Sequence, residues 1–199
     1  MRRVLAWSLC LAALLVAAPA GAKPRVAKDF SFDGFKLGDD YGRKVMTRAP
    51  YDAPCDNDPI DHQRRRFMVY GALPCRDRVF PDQTTVMFYL RFSKEAPYQQ
   101  PIEAFAYLYG SYFNAKTDFP LKPGDALAKA TKTLGAARGT LELTSRGVTL
   151  TAHRFDGDIA VIANGAVIVG FVLGPMPAAA DNEQWRGLMQ MYRRYTPKQ

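Results

Sequence analysis

Two histidines, three cysteines and one acidic loop include side chains that could move a proton, act as a nucleophile or bind a metal. The loop reads Asp56-Asn57-Asp58-Pro59-Ile60-Asp61-His62, with Asp52 just upstream. Hard oxygens so close together suit calcium, which takes about six to eight of them. An EF-hand, however, requires Gly at its sixth position and Glu at its twelfth, and counting from Asp56 these are Asp61 and Phe67. The loop is therefore expected to be a solvated turn balanced by Arg64, Arg65 and Arg66, with no metal and no cofactor. His153 ends the run Val148-Thr149-Leu150-Thr151-Ala152-His153. Alternation turns Val148, Leu150 and Ala152 inward and leaves His153 with Thr149 and Thr151 on the opposite, solvated face. No Gly-x-Ser-x-Gly, His-Glu-x-x-His, phosphate loop or dinucleotide fingerprint is present. Catalysis is not expected. The enzymatic alternative is a small hydrolase using His153 or the Asp52–His62 loop.

The cysteines lead from chemistry to compartment. Met1-Arg2-Arg3 is a short cationic start, Val4 to Ala18 is an uncharged Leu/Ala/Val run, and Ala20-Gly21-Ala22 is a small-x-small site after Pro19. That order is the pattern of a secretory signal peptide over residues 1–22. Cleavage after Ala22 would place the chain in the periplasm or outside the cell. Cys10 leaves with the leader, so Cys55 and Cys75 are the remaining pair. Two cysteines in an oxidising compartment are expected to form a disulfide, and closing the loop between them stabilises by about 3 kcal/mol. A bridged Cys55 also disfavours a catalytic pairing with His62.

The full chain has 199 residues, 48% of them hydrophobic and 23% charged, which excludes a disordered or multi-span membrane protein. Its formal charge is +8. In the cytoplasm the Arg64–Arg66 run, Arg76, Arg78, Arg193, Arg194 and Lys198 would raise nucleic acid as a partner. Export removes that reading. It leaves an anionic lipid or lipopolysaccharide surface, or an acidic protein.

An internal echo organises the elements. Phe35-Lys36-Leu37-Gly38-Asp39 is repeated as Phe119-Pro120-Leu121-Lys122-Pro123-Gly124-Asp125. After the second copy, Asp125 is a candidate N-cap for a helix over 126–134, which Gly135 ends. Strands are predicted over 140–145, 148–155, 158–163 and 166–173, separated by Arg146-Gly147, Asp156-Gly157 and Asn164-Gly165. After the first copy, residues 41–48 are read as a helix and 65–73 and 84–92 as strands. Residues 102–113 form a third strand or a helix. Residues 181–195, with Asp181 as cap and Trp185, Leu188, Met189 and Tyr192 on one stripe, close the chain as a helix. The predicted class is α+β: two tandem units of short helix followed by antiparallel meander, over 23–117 and 118–199, closed by that helix.

On the residues Leu37-Gly38-Asp39, Leu121-Lys122-Pro123-Gly124-Asp125 and Leu134-Gly135, the chain resembles the β-lactamase-inhibitor-like fold, whose single-unit form occurs in small outer-membrane assembly lipoproteins. The resemblance covers about residues 32 to 175. It implies a protein-binding role.

The first-half strands carry the candidate surface. Phe67 and Val69 alternate with Met68 and Tyr70; Val86, Phe88 and Leu90 alternate with Met87 and Tyr89; Phe105, Tyr107 and Tyr109 continue the pattern. Both faces are thus apolar, whereas a solvated face should be polar. Either a helix or the second unit covers the extra face, or the face binds a partner. The expected function is a non-catalytic interaction module in the envelope, docking another envelope protein through Met68, Tyr70, Met87, Tyr89 and Tyr107. A carrier for lipid or another apolar ligand is a further alternative, if the faces enclose a cavity.

The intact mass of the exported protein should correspond to a chain starting at Lys23 with Cys55 and Cys75 bridged, and both thiols should alkylate only after reduction. A retained Met1 or free thiols would reject the leader or the bridge respectively.

Overall fold

Runs of β-branched and aromatic residues pair here into one antiparallel sheet of seven strands. The computed structural model describes residues 25–32, 34–45, 47, 67–71, 85–90, 101–108 and 117–195. The strands are β1 (Phe67–Gly71), β2 (Thr85–Leu90), β3 (Ile102–Leu108), β4 (Gly139–Ser145), β5 (Val148–Phe155), β6 (Ile159–Asn164) and β7 (Val167–Leu173). Helix α1 (Leu127–Leu134) precedes β4, and α2 (Glu183–Tyr195) ends the described chain. A 3-10 turn spans Ala27–Asp29 and a π-helical turn Tyr41–Val45. The class is α+β, and residues 102–108 take the strand alternative. Residues 1–22, the Asp52–His62 loop, Cys55 and Cys75 lie outside the described residues.

Strand order is β1-β2-β3-β7-β6-β5-β4, so the last strand of each half meets the other at the centre. There Phe105 pairs with Leu173, Ala106 with Val172, Tyr107 with Phe171 and Leu108 with Gly170. Each face of the sheet has its own core. On one side Phe105, Tyr107, Phe155, Val161 and Phe171 pack with Phe30, Phe32, Phe35, Phe119 and Leu121, with Ala130 of α1. On the other, Ala104, Ala106, Leu143, Leu150, Ala152 and Val172 pack under Trp185, Leu188, Met189 and Tyr192 of α2. The central strands are apolar on both faces because both faces are covered. Small residues in β3 on the second side leave room for the fully buried Trp185, whose Nε1–H donates to the Pro177 carbonyl at 2.8 Å.

The helix starts differ from the sequence reading. Asp125 does not cap α1: the cap residue is Ala126, which makes no side-chain hydrogen bond. The Leu127 N–H donates to the Ala166 carbonyl at 2.8 Å, and the Asp125 carboxylate accepts from the Lys122 N–H rather than from the helix. At α2 the acceptor is Asn182, whose Oδ1 takes the Gln184 N–H at 2.9 Å, and not Asp181. The β6–β7 turn is also one residue late, because Asn164 still pairs with Val167 and the turn centres on Gly165 and Ala166.

The two Gly-Asp segments make the same hydrogen bonds. The Asp39 carboxylate accepts the Lys36 N–H at 3.0 Å, and that of Asp125 accepts the Lys122 N–H at 2.9 Å. Gly38 N–H donates to Ile102 and Gly124 N–H to Ile168, both at 2.8 Å, while Ile102 and Ile168 donate back to Asp39 and Asp125, both at 2.9 Å. Gly38 and Gly124 adopt φ of 89° and 92°, a conformation that a Cβ would strain. Each aspartate also holds a lysine of the following turn, Lys44 at 2.5 Å and Lys129 at 2.8 Å. Each segment is thereby fastened to the start of a central strand, β3 or β7.

At the β3–β7 seam a Cβ on Gly170 would collide with the Tyr107 carbonyl oxygen and with Leu108. Gly170→Ala should therefore destabilise by about 1–3 kcal/mol, read as a lowered Tm. Gly139→Ala, where a Cβ meets nothing within 4 Å, should leave Tm nearly unchanged. Equal effects at both positions would reject the seam's intolerance.

Candidate functional site

Cross-strand partners share a face of a sheet, so register decides which of the five candidate positions lie together. Met68 pairs with Phe88 and Tyr70 with Val86, which in turn pair with Phe105 and Tyr107. Met87 pairs with Val69 and Ala106, and Tyr89 with Phe67 and Ala104. Met68 and Tyr70 therefore occupy the face of the aromatic core, and Met87 and Tyr89 the face that α2 crosses. The expectation of one Met/Tyr-rich face does not hold at this register. Alternation within a strand could not reveal it, because the match between β1 and β2 is set across residues distant in sequence.

Tyr107 is not a surface anchor. It is 8% exposed, and its ring stacks on Phe171 at 5.1 Å between centroids with 11° between planes. Phe32 lies over it at 5.6 Å. Its β3 position is central, so the first core claims the ring. Met68 and Tyr70 differ in place, since β1 is the outermost strand at its end of the sheet.

The opposite end has another character. On the face shared with Phe155, β4 and β5 present three polar cross-strand pairs: Thr140 with His153, Glu142 with Thr151, and Thr144 with Thr149. The two hydroxyls of the last pair lie 3.2 Å apart, and the Thr144 hydroxyl reaches the Glu142 carboxylate at 3.4 Å. His153 is half-buried, and its other neighbour in the ladder is Val161. Burial holds its imidazole below the ordinary value of 6.5. Among the described residues no carboxylate hydrogen-bonds to it. His62 lies outside them.

Two further groups are electrostatically set. Burial opposes ionisation of Asp118, but the Ser31 N–H and the Arg25 guanidinium overcome it and hold the carboxyl below 3.8. The Ser31 N–H and Arg25 contacts are each 2.7 Å, and Arg25 also sits 4.1 Å above the Phe30 ring. This fastens residues 25–31 to the segment entering the second half. At Asp125 burial is likewise outweighed, by Lys129 and the Lys122 N–H.

A groove of about 120 Å³ opens where the end of β4 meets α2, lined by Leu143, Thr144, Ser145, Trp185, Arg186 and Met189 among others. Sequence reasoning assigned nothing to it. The available signal was the dipeptide Trp185-Arg186, which puts a cation beside the most deeply buried aromatic ring of α2.

Among the described residues no three His, Cys, Asp or Glu side chains converge as metal ligands, and no helix is long and apolar enough to cross a membrane. Compared with protein families, curated proteins and solved structures, the chain finds no match.

The depressed imidazole has a signed consequence for stability. The fold disfavours the protonated form of His153, so the unfolded chain binds the extra proton first. Stability should fall as pH drops through about 6.5 and onward to the lower folded value. Melting curves of His153→Gln should lack this component; an unchanged acid dependence would assign it elsewhere.

Proposed function

We propose that this chain is an exported envelope protein that binds another envelope protein without catalysis, through the Met68–Tyr70 side of its first strands. Two related units, over 23–117 and 118–199, would form the module. The matched hydrogen bonds around Asp39 and Asp125 support that division, as does the exchange of partners at the centre, where Phe105 and Tyr107 of β3 face Leu173 and Phe171 of β7.

The observation that carries the choice of surface is the position of α2. It packs against β4 and β2 on the side of Ala104 and Ala106, which is also the side of the Met87 and Tyr89 positions. The Met68 and Tyr70 positions belong to the other face and to an outermost strand. Methionine and tyrosine together favour protein contacts, Met by adapting its shape and Tyr by adding a hydroxyl to a large rigid area. The leader-like residues 1–22 place the encounter in the periplasm or beyond it, and the Cys55–Cys75 bridge would brace the same half.

A photo-crosslinking side chain at position 70, irradiated in intact envelopes, should form an adduct with one envelope protein. At position 89 it should crosslink only within the chain. Lipid adducts at position 70 would favour a carrier, and no adduct would reject this surface.

A further inference from the structure

We propose that the other end of the sheet is a second docking site, where β4 accepts an extended, acidic peptide segment of a partner as an added strand. The site is independent of the β1 surface. Strand β4 is outermost, and among the described residues no strand lies beyond it in the sheet. It is seven residues long, Gly139 to Ser145, and it pairs with β5 in continuous register without a bulge. Its sequence Gly-Thr-Leu-Glu-Leu-Thr-Ser contains neither proline nor lysine. Bulges, prolines and lysines are the usual means by which proteins keep an edge from pairing. A straight edge without them offers backbone N–H and C=O groups to an incoming strand.

The chemistry beside that edge selects the occupant. The groove lies on the α2 side of β4, between Leu143 and Ser145 on one wall and Trp185, Arg186 and Met189 on the other. A strand laid along β4 directs alternate side chains toward α2, and one apolar side chain would enter this groove. Arg186 stands exposed at its wall, and Arg146 is exposed in the turn that follows β4. Neither guanidinium has a carboxylate partner among the described residues, unlike Arg138, which pairs with Asp156. Glu142 is the one charged side chain of β4, and its register with Thr151 assigns it to the opposite face. The groove side therefore presents uncompensated positive charge, complementary to carboxylates on the peptide.

The test uses the full chain and a short peptide with threonine at every second position, so that the residues between, all directed to one face, are a central valine flanked by glutamates; lysines replace the glutamates in the comparison peptide. The acidic peptide should slow amide hydrogen exchange several-fold within residues 139–145 and leave β1 unchanged. Binding should weaken on adding salt. Arg186→Glu should weaken it about tenfold, the size expected when a favourable charge contact becomes a repulsive one. Arg146→Glu should act in the same direction. Arg186 is exposed, so a melting curve matching the parent protein shows that the change is local. Equal binding of the lysine peptide, no added protection in β4, or indifference to both substitutions would overturn the proposal. Protection of β4 that rises with protein concentration in the absence of peptide, together with a dimer in sedimentation, would overturn it in favour of a second copy of this chain. These outcomes are read at β4 and α2, so they are distinct from failure of crosslinking at position 70.

Discussion

The antiparallel pairing of β3 with β7 is the contact on which the rest of this structure depends. Each is the last strand of its half, and only their ladder makes the strands one sheet. The pairing requires close backbone approach, which Gly170 permits beside the Tyr107 carbonyl. It also brings Tyr107 onto Phe171, and Phe119 lies 4.5 Å from that same ring. Aromatic contacts of this kind add about 0.5–1.5 kcal/mol beyond the area they bury. Separate the strands, and both cores would lose their centre.

Two similar fastenings hold the layers to that centre. At Asp39 and Asp125 a carboxylate closes its own turn, a glycine with positive φ aims the backbone at a central strand, and a lysine of the next turn binds the carboxylate. The lysines are largely exposed, so these ion pairs contribute little by themselves. The value lies in backbone hydrogen bonds to Ile102 and Ile168, which join each turn to a strand start. Because β3 and β7 run in opposite directions, the two turns secure opposite ends of the sheet.

The covered centre separates two edges of different chemistry. At one, β1 and β2 carry methionine and aromatic residues divided by register between the two faces. At the other, β4 and β5 carry threonines, a glutamate and His153 on one face, while the α2 side of β4 carries a groove of mixed polar and apolar lining with Arg186 at its wall. A sheet buried on both faces at its centre leaves its rims as the places where a partner can meet it.

What the sequence determined by itself was local. The strands of the second half, the ending of α1 at Gly135 and the apolar stripe of α2 could be read from periodicity and turn residues, since those signals depend on neighbours within a few positions. The similarity of the two Gly-Asp segments was legible as well. Their role was not, because the segments bond to Ile102 and Ile168, which are distant in sequence. The tertiary structure decided three further matters: that Tyr107 is core, that Met68 and Tyr70 lie on the opposite face from Met87 and Tyr89, and that Arg186 meets the end of β4. Each depends on which strand or helix lies alongside which, and in what register. That is a property of long-range packing, and no window of local sequence contains it.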